Sequence, residues 1–170
     1  GGLGDVYKIQ VGYNITMVIA YIREFFVPQG ILGETLETAV PWSKVNQVKD
    51  EANKLLTELH KKYDLPGKPF FCSRISKVYH TGICMYNTMG INVRGIKNPE
   101  KVFSDIEHKI RECFIKNGGS ISHHHGVGKL RKDFMPETIS PGSIDVIQGI
   151  KKSQDPNNIF GISNNIVNKK

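Results

Sequence analysis

The segment from Ser43 to Leu65 constrains the fold most strongly, because its apolar residues repeat at helical spacing and form one stripe. Lysine and glutamate occupy the opposite face, Ser43 is a suitable N-cap, and Leu65-Pro66-Gly67 predicts the helix end. A helix with a single apolar stripe must pack against another layer, which the rest of the chain has to supply. The stripe consists of Val45, Val48, Ala52, Leu55, Leu56 and Leu59.

Two regions that flank this helix have the composition and alternation of strands. Residues 31–40 alternate well enough for one strand, which Pro41 closes. Residues 70–93 contain two extended runs, FFCSRISKVY and ICMYNTMGINV, separated by Tyr79-His80-Thr81-Gly82. This pattern fits a hairpin and a single bulged long strand equally well.

A second amphipathic helix is predicted to begin at Asn98-Pro99-Glu100, where an acceptor cap precedes a proline at the first helical position. Its apolar stripe runs from Val102 to Phe114, and Gly118-Gly119 ends it before a last strand that reaches Ser122. From Gly30 to Ser122 the order is strand, helix, strands, helix, strand. This order predicts an α+β fold in which helices cover one face of an antiparallel sheet.

The two ends of the chain are less regular. In NITMVIAYIREFF, apolar residues at helical spacing predict a helix that carries Arg23 near its end, although the many β-branched residues also fit a buried strand. Near the C-terminus we expect a short helix over residues 144–151, followed by the polar tail DPNNIFGISNN.

Length and composition indicate one folded unit, or a piece of a larger protein. The chain has 170 residues, 39% of them hydrophobic and 23% charged, which is ordinary for a globular domain. The net charge of +7 would suit nucleic acid, lipid headgroups or a phosphorylated substrate. The cations are spread along the chain and no nucleic-acid-binding motif accompanies them, so we expect a solvated surface and no nucleic-acid partner.

The cysteines and the hydropathy pattern indicate the cellular compartment and argue against a membrane span. Cys72, Cys84 and Cys113 are odd in number and widely spaced, which argues against a disulfide framework or a paired zinc knuckle and indicates a reducing compartment. The early uncharged run at residues 9–22 is shorter than the ~20 apolar residues that a membrane-spanning helix needs. Because the chain opens with Gly-Gly, we expect it to be a fragment.

The stretch SISHHHGVGKLRK carries the most distinctive chemistry in the chain. In an extended backbone His123 and His125 would share one face, with His124 on the other. No Cys, Asp or Glu in this stretch completes a zinc site, so we predict no metal here. The glycines at 126 and 128 allow close approach of a ligand, and the cations at 129, 131 and 132 suit phosphate or solvent.

Taken together, GGSISHHHGVGKLRK, VIAYIRE, GETLETAVPW, TGICMY and DPNNIFG resemble the C-terminal part of the alkyldihydroxyacetonephosphate synthase family. The similarity runs in order from Gly1 to about Ile162. Within the wider vanillyl-alcohol-oxidase-like flavoprotein superfamily, His125-Gly126 is shared, whereas His123 and His124 select the synthase. The resemblance implies FAD as cofactor and a transferase of ether-lipid synthesis. Its substrates would be acyl-dihydroxyacetone phosphate and a long-chain fatty alcohol, which exchanges with the acyl group.

Individual residues inherit roles from this resemblance. Tyr86, in TGICMY, matches the proton-transfer residue, and because an unperturbed tyrosine has a pKa of about 10 it needs help from neighbouring imidazoles. Arg23 matches a substrate-binding arginine, and His123, His124 and His125 match the essential triplet. We expect His125 and Gly126 to lie nearest the flavin.

The resemblance also implies how the chain is divided and where it works. Residues 1–122 would be the substrate-binding cap domain. Residues 123–170 would be the histidine loop and a tail that returns to an FAD-binding domain mostly absent from this chain, so the chain alone would be inactive. We expect peroxisomal localisation, although Asn168-Lys169-Lys170 is not an address of the S-K-L type, together with a homodimer and contact with a membrane surface.

Two alternatives remain open at this point. One is an FAD-dependent oxidoreductase of the same superfamily, against which His123 and His124 argue. The other is a non-catalytic module that binds anionic lipid or nucleic acid through the +7 surface.

Overall fold

A three-stranded antiparallel sheet forms the centre of the fold in the computed structural model, which describes Val18 and residues 21–164. The strands are β1 (Ile31–Pro41), β2 (Phe70–Val78) and β3 (Gly82–Asn92), with β3 between the other two. Tyr79 N–H donates to the Gly82 carbonyl at 2.8 Å and closes a hairpin between β2 and β3. The hairpin alternative is therefore correct, with a bulge between Ile75 and Lys77.

Two helices, α1 (Val45–Lys62) and α2 (Pro99–Lys116), cover one face of this sheet. Their apolar stripes meet the alternate residues of β1 and β3 that point to the same side, and this contact forms the main core. The α+β fold class with helices on one face is confirmed. The fully buried side chains of this core include Leu36, Ile83, Met85, Met89, Val48, Leu56, Ile106 and Ile110.

The predicted helix boundaries need three corrections. A 3₁₀ turn at Trp42–Lys44 precedes α1, and neither Ser43 nor Asn98 makes a side-chain cap hydrogen bond. Asn98 adopts a left-handed conformation, φ 55°, so it does not have the extended backbone of an N-cap. Helix α1 ends at Lys62 rather than at Leu65.

The chain between α2 and the histidines is a loop, so the predicted last strand is wrong. A single residue, Ser120, pairs with the free edge of β1: Ser120 N–H donates to the Ala39 carbonyl at 3.0 Å. The Ser120 hydroxyl accepts from Ala39 N–H at 2.9 Å, where a sheet partner would offer a carbonyl. Because a side chain replaces the backbone acceptor, the ladder stops after one residue and the chain is free to turn.

Gly119 allows this turn to lie against the sheet. A Cβ at this position would overlap Thr38 Oγ1 and approach the Phe114 carbonyl oxygen within 2.8 Å. We therefore expect Gly119→Ala to lower the free energy of unfolding by about 1–3 kcal/mol, measured by urea denaturation. Gly149→Ala is the matched control, since a Cβ at this helical position meets nothing within 4 Å and should be neutral or stabilising. Equal stability of the two variants would show that Thr38 moves aside at no cost.

The C-terminal part contains α3 (Pro141–Gln154), longer than the predicted helix, and a structured tail. None of the residues of α3 is buried, and Ser140 caps it by accepting from Ser143 N–H. Asp155 organises the following DPNNIFG segment by accepting hydrogen bonds from the N–H groups of Ile159 and Phe160, both at 2.9 Å. Among the described residues, no helix has the length and apolar character to cross a membrane.

Candidate active site

Glu37 anchors the histidine loop to the sheet. It lies on β1 directly opposite Tyr86 of β3, on the sheet face that the helices leave uncovered. Its side chain is buried, with 2% of the residue exposed. The Oε1 atom accepts hydrogen bonds from the Ser122 hydroxyl at 2.8 Å and from the backbone N–H groups of His123 and His125, both at 2.6 Å, and a further one from His124 N–H.

Consecutive N–H groups that converge on one anion form a concave nest, a recurring site for negative charge. Burial raises the pKa of Glu37, but the N–H groups of His125 and His123, the Ser122 hydroxyl and the N–H of His124 together lower it to about 2. Glu37 is therefore ionised at neutral pH, and this buried negative charge holds the loop in its shape.

The convergence of the N–H groups overturns the predicted alternation of the three imidazoles. His124 Nδ1 lies against Glu37 Oε2, where the two groups form an ion pair when His124 is protonated, although Oε2 accepts no hydrogen bond of ordinary geometry from the described residues. His123 Nδ1 lies 3.2 Å from His124 Nδ1, and His123 Nε2 lies 2.5 Å from the Tyr79 hydroxyl. The rings of His124 and His125 both contact Tyr86, whereas His123 contacts Tyr79.

Tyr86 is at the centre of the uncovered face. The His124 ring stacks on it with 5.9 Å between centroids, and the His125 ring meets it edge-on at 5.4 Å. Arg74, its neighbour on β2, places a guanidinium 4.6 Å from the Tyr86 ring centroid. The structure thus brings the predicted proton-transfer tyrosine and two of the predicted histidines together, and adds a cation.

The segment after the histidines folds back and closes the loop. Gly126 adopts φ 74°, a left-handed conformation that favours glycine, and Arg131 Nη1 donates to its carbonyl at 3.1 Å. The sequence predicted that Arg131 contacts phosphate or solvent. It is only 8% exposed, so it has a structural role instead. Lys129 remains exposed. Burial lowers the pKa of His125, which favours its neutral form.

Arg23 is not joined to this cluster. It is an exposed residue of a helical segment at residues 21–26, and no hydrogen bond or ion pair between described residues involves it. The remainder of the predicted VIAYIRE helix lies outside the described residues, apart from Val18.

Four side chains here could hold a metal ion: Glu37, Cys84, His123 and His124 have donor atoms within 4.8 Å of one another. The histidine stretch itself contains no Cys, Asp or Glu, but the fold brings Glu37 and Cys84 to it from strands that are distant in sequence. We interpret the cluster as a chain of polar contacts, since His124 already lies against Glu37 and His123 is hydrogen-bonded to Tyr79. Burial raises the pKa of the Cys84 thiol, which opposes its ionisation.

Sequence reasoning missed Glu37, Arg74 and Tyr79 as site residues. Glu37 occupies the quoted segment GETLETAVPW, yet nothing local links it to histidines that follow 86 to 88 positions later. Tyr79 was assigned only to a turn. Arg74 could not have been found by aligning the predicted hairpin from its turn, because a regular register would pair Ile75 with Tyr86. The bulge between Ile75 and Lys77 shifts the register by one residue and brings Arg74 opposite Tyr86.

Comparison with known proteins gives a consistent result. A family model described as "FAD linked oxidases, C-terminal domain" matches residues 12–161. An alkyldihydroxyacetonephosphate synthase of Caenorhabditis elegans is 40% identical over 96% of this chain and 28% of its own length. A Dictyostelium discoideum protein of the same name is 26% identical over 83% of this chain and 23% of its own length.

A solved structure of an alkyldihydroxyacetonephosphate synthase shares the fold, with a TM-score of 0.59 over 82% of this chain and 22% of that chain, at 20% identity. The chain therefore spans about a quarter of the length of the curated relatives it matches.

Proposed function

Because the chain belongs to the family of FAD-linked oxidase C-terminal domains, whose cofactor is FAD, we propose that it is the substrate-facing part of a transferase. The reaction replaces the acyl group of acyl-dihydroxyacetone phosphate by a fatty alcohol, which yields an ether and a fatty acid. The two synthases named above support this choice within the family.

The observation that carries the proposal is the packing of Tyr86 against His124 and His125 over an ionised Glu37. Exchange of an acyl group for an alkoxy group needs proton transfers but no net oxidation. A phenol and imidazoles in contact can exchange protons with a substrate, and a fixed carboxylate stabilises the imidazolium that results. The uncovered sheet face presents these groups together.

The loop next to His125 is open to a ligand. Gly126 is exposed, and a Cβ there would meet nothing within 4 Å, so a flavin could approach the backbone beside His125. A flavin bound there would supply the reactive ring for the exchange of the acyl group for the alcohol. His125 and Gly126 would face it, and Tyr86 would hold the proton at its phenol oxygen.

Anionic groups of the substrate need a cation near Tyr86. Arg74 lies at that point, and a guanidinium suits both a phosphate and the departing carboxylate. We propose Arg74 as the substrate cation supplied by the sheet. We keep for Arg23, an exposed residue, the substrate-binding role that the resemblance implies.

We further propose that residues 123–170 pack on an FAD-binding domain of the same protein and that the enzyme works in peroxisomes, at a membrane surface and as a homodimer. Packing of the tail is supported by its exposed apolar side chains, since Val146 is 63% and Phe160 73% exposed. Ile150, Ile159 and Ile162 are exposed in the same region.

The test uses the intact FAD-containing protein with acyl-dihydroxyacetone phosphate and a long-chain alcohol. We expect one fatty acid released for each ether formed, with no net reduction of the flavin or of an added electron acceptor. Reduction of the flavin by a hydroxyacid without ether formation would identify an oxidoreductase. Salt-sensitive binding of anionic vesicles without any turnover would identify a binding module.

A further inference from the structure

Four side chains form a continuous chain of polar contacts from the protein interior to its surface. Glu37 Oε2 meets Nδ1 of His124, and Nδ1 of His124 lies 3.2 Å from Nδ1 of His123. The other ring nitrogen of His123, Nε2, lies 2.5 Å from the Tyr79 hydroxyl oxygen. Glu37 is 2% exposed and Tyr79 is 45% exposed, so the chain connects a buried charge with solvent.

The positions of the protons follow from the partners. Glu37 is ionised, because its Oε1 accepts from the Ser122 hydroxyl and from successive backbone N–H groups. Nδ1 of His124 lies against the anionic Oε2, where a nitrogen lone pair would be repelled, so this nitrogen carries a proton. His123 Nδ1 faces that same Nδ1–H and must be the unprotonated nitrogen. A neutral His123 therefore carries its proton on Nε2 and donates it to the Tyr79 oxygen.

This arrangement leaves the Tyr79 hydroxyl proton pointing away from His123, toward the surface. The residue itself is held by its backbone, because Tyr79 N–H donates to Gly82 and the Tyr79 carbonyl accepts from Trp42 Nε1 at 3.1 Å. Tyr79 also lines a shallow concavity of about 230 Å³ together with Pro41 and Thr81. Its hydroxyl is thus a fixed donor that water can reach.

We propose that Tyr79 is a positioning residue that sets the tautomer of His123 and forms the outlet of a proton-release path. The proposal rests on the proposed function, in which the alcohol O–H bond and the bond from the substrate carbon to the acyl oxygen break, while the ether C–O bond forms. The acyl group leaves as a carboxylate, so each turnover must release one proton to solvent.

The path conserves protons at each step. The alcohol proton is taken up by Nε2 of His124, whose imidazolium the Glu37 carboxylate stabilises. The Nδ1 proton of His124 passes to Nδ1 of His123, the Nε2 proton of His123 passes to the Tyr79 oxygen, and the Tyr79 hydroxyl proton passes to water. Exchange with water at the partly exposed rings restores the starting tautomers.

The first test is Tyr79→Phe in the intact FAD-containing protein, which removes only the hydroxyl oxygen. We expect kcat for ether formation to fall about tenfold or more, with unchanged FAD content and unchanged KM for the acyl substrate, and partial recovery in imidazole buffer. Tyr63→Phe is the matched control, because its hydroxyl lies 3.5 Å from Asp105 on the helix face and should leave kcat unchanged. An unchanged kcat in Tyr79→Phe would overturn the proposal.

The second test does not depend on catalysis. ¹⁵N NMR of the histidine rings should show the Nε2–H tautomer for His123 in the unmodified protein and a mixture of tautomers in Tyr79→Phe. A tautomer that the substitution leaves unchanged would overturn the positioning role. Failure of the unmodified protein to form ether would contradict the proposed function. If the unmodified protein forms ether and the Tyr79→Phe substitution changes neither kcat nor the tautomer of His123, only this inference is contradicted.

Discussion

Glu37→Gln should disrupt the histidine loop and lower ether formation by about 100-fold or more, the largest structural effect that we expect from one substitution. Glutamine keeps one carbonyl acceptor for the N–H groups, but it loses the charge and places an amide against His124. The fall of the Glu37 pKa from 4.5 to about 2 corresponds to a contribution of about 3 kcal/mol to stability at neutral pH, which Glu37→Gln should remove. Urea denaturation and a kinetic assay measure the two effects.

The pH dependence of that stability has a definite sign. Because the folded-state pKa is lowered, the contribution of Glu37 is fully present above the unfolded value near 4.5 and is lost as pH falls toward about 2. The stability difference between the unmodified protein and Glu37→Gln should therefore be constant near neutrality and shrink below about pH 4.5. Glu34→Gln, on the same strand, is the matched control for the loss of one carboxylate, because Glu34 Oε1 accepts from Thr35 N–H and not from the histidine loop. A pH-independent difference would contradict the assignment of the ionised state.

Tyr86→Phe should lower turnover by about 10²- to 10⁴-fold while leaving the fold intact. The phenylalanine ring keeps its contacts with His124, His125 and Arg74, so stability and FAD content should change little. Steady-state kinetics of ether formation, with circular dichroism as a check on folding, provides the measurement.

Thr88→Val is the control for Tyr86, because it removes a hydroxyl from the same face of β3 two residues along the strand. Its turnover should match that of the unmodified protein. If Tyr86→Phe is as active as the unmodified protein, the proton transfer must be assigned to the imidazoles alone. The reason is that no other phenol lies against His124 and His125 among the described residues.

The secondary structure was largely accessible from the sequence because it depends on local periodicity. The alternation at residues 31–40 and the stripe on α1 gave element types and approximate bounds that the structure confirms. The caps at Ser43 and Asn98 were not accessible, since a cap residue type does not specify the backbone angles that a cap needs. The last strand failed for a similar reason, because the Ser120 side chain takes the place of a backbone partner.

The site residues also divide into those that the sequence predicted and those that only the structure revealed. The triple histidine was predicted from its own residue types and Tyr86 from the family resemblance, and the structure brings Tyr86 into contact with His124 and His125. The alternation of the three imidazoles failed because successive N–H groups turn toward one oxygen of Glu37, a geometry that no extended backbone has. Arg131, expected among the surface cations, is buried against the Gly126 carbonyl.

By itself the sequence determined the α+β class and the flavin-linked family, and it predicted which residues move protons, because these depend on local patterns and on short contiguous motifs. Only the tertiary structure decided how those residues are held. It placed Glu37 beneath a loop 86 positions away, Arg74 over Tyr86, and Tyr79 at the end of the histidine chain. The physical reason is that a buried charge needs hydrogen-bond partners, and these come from backbone that the fold brings next to it. The separation of two residues in the sequence does not reveal whether the fold brings them together.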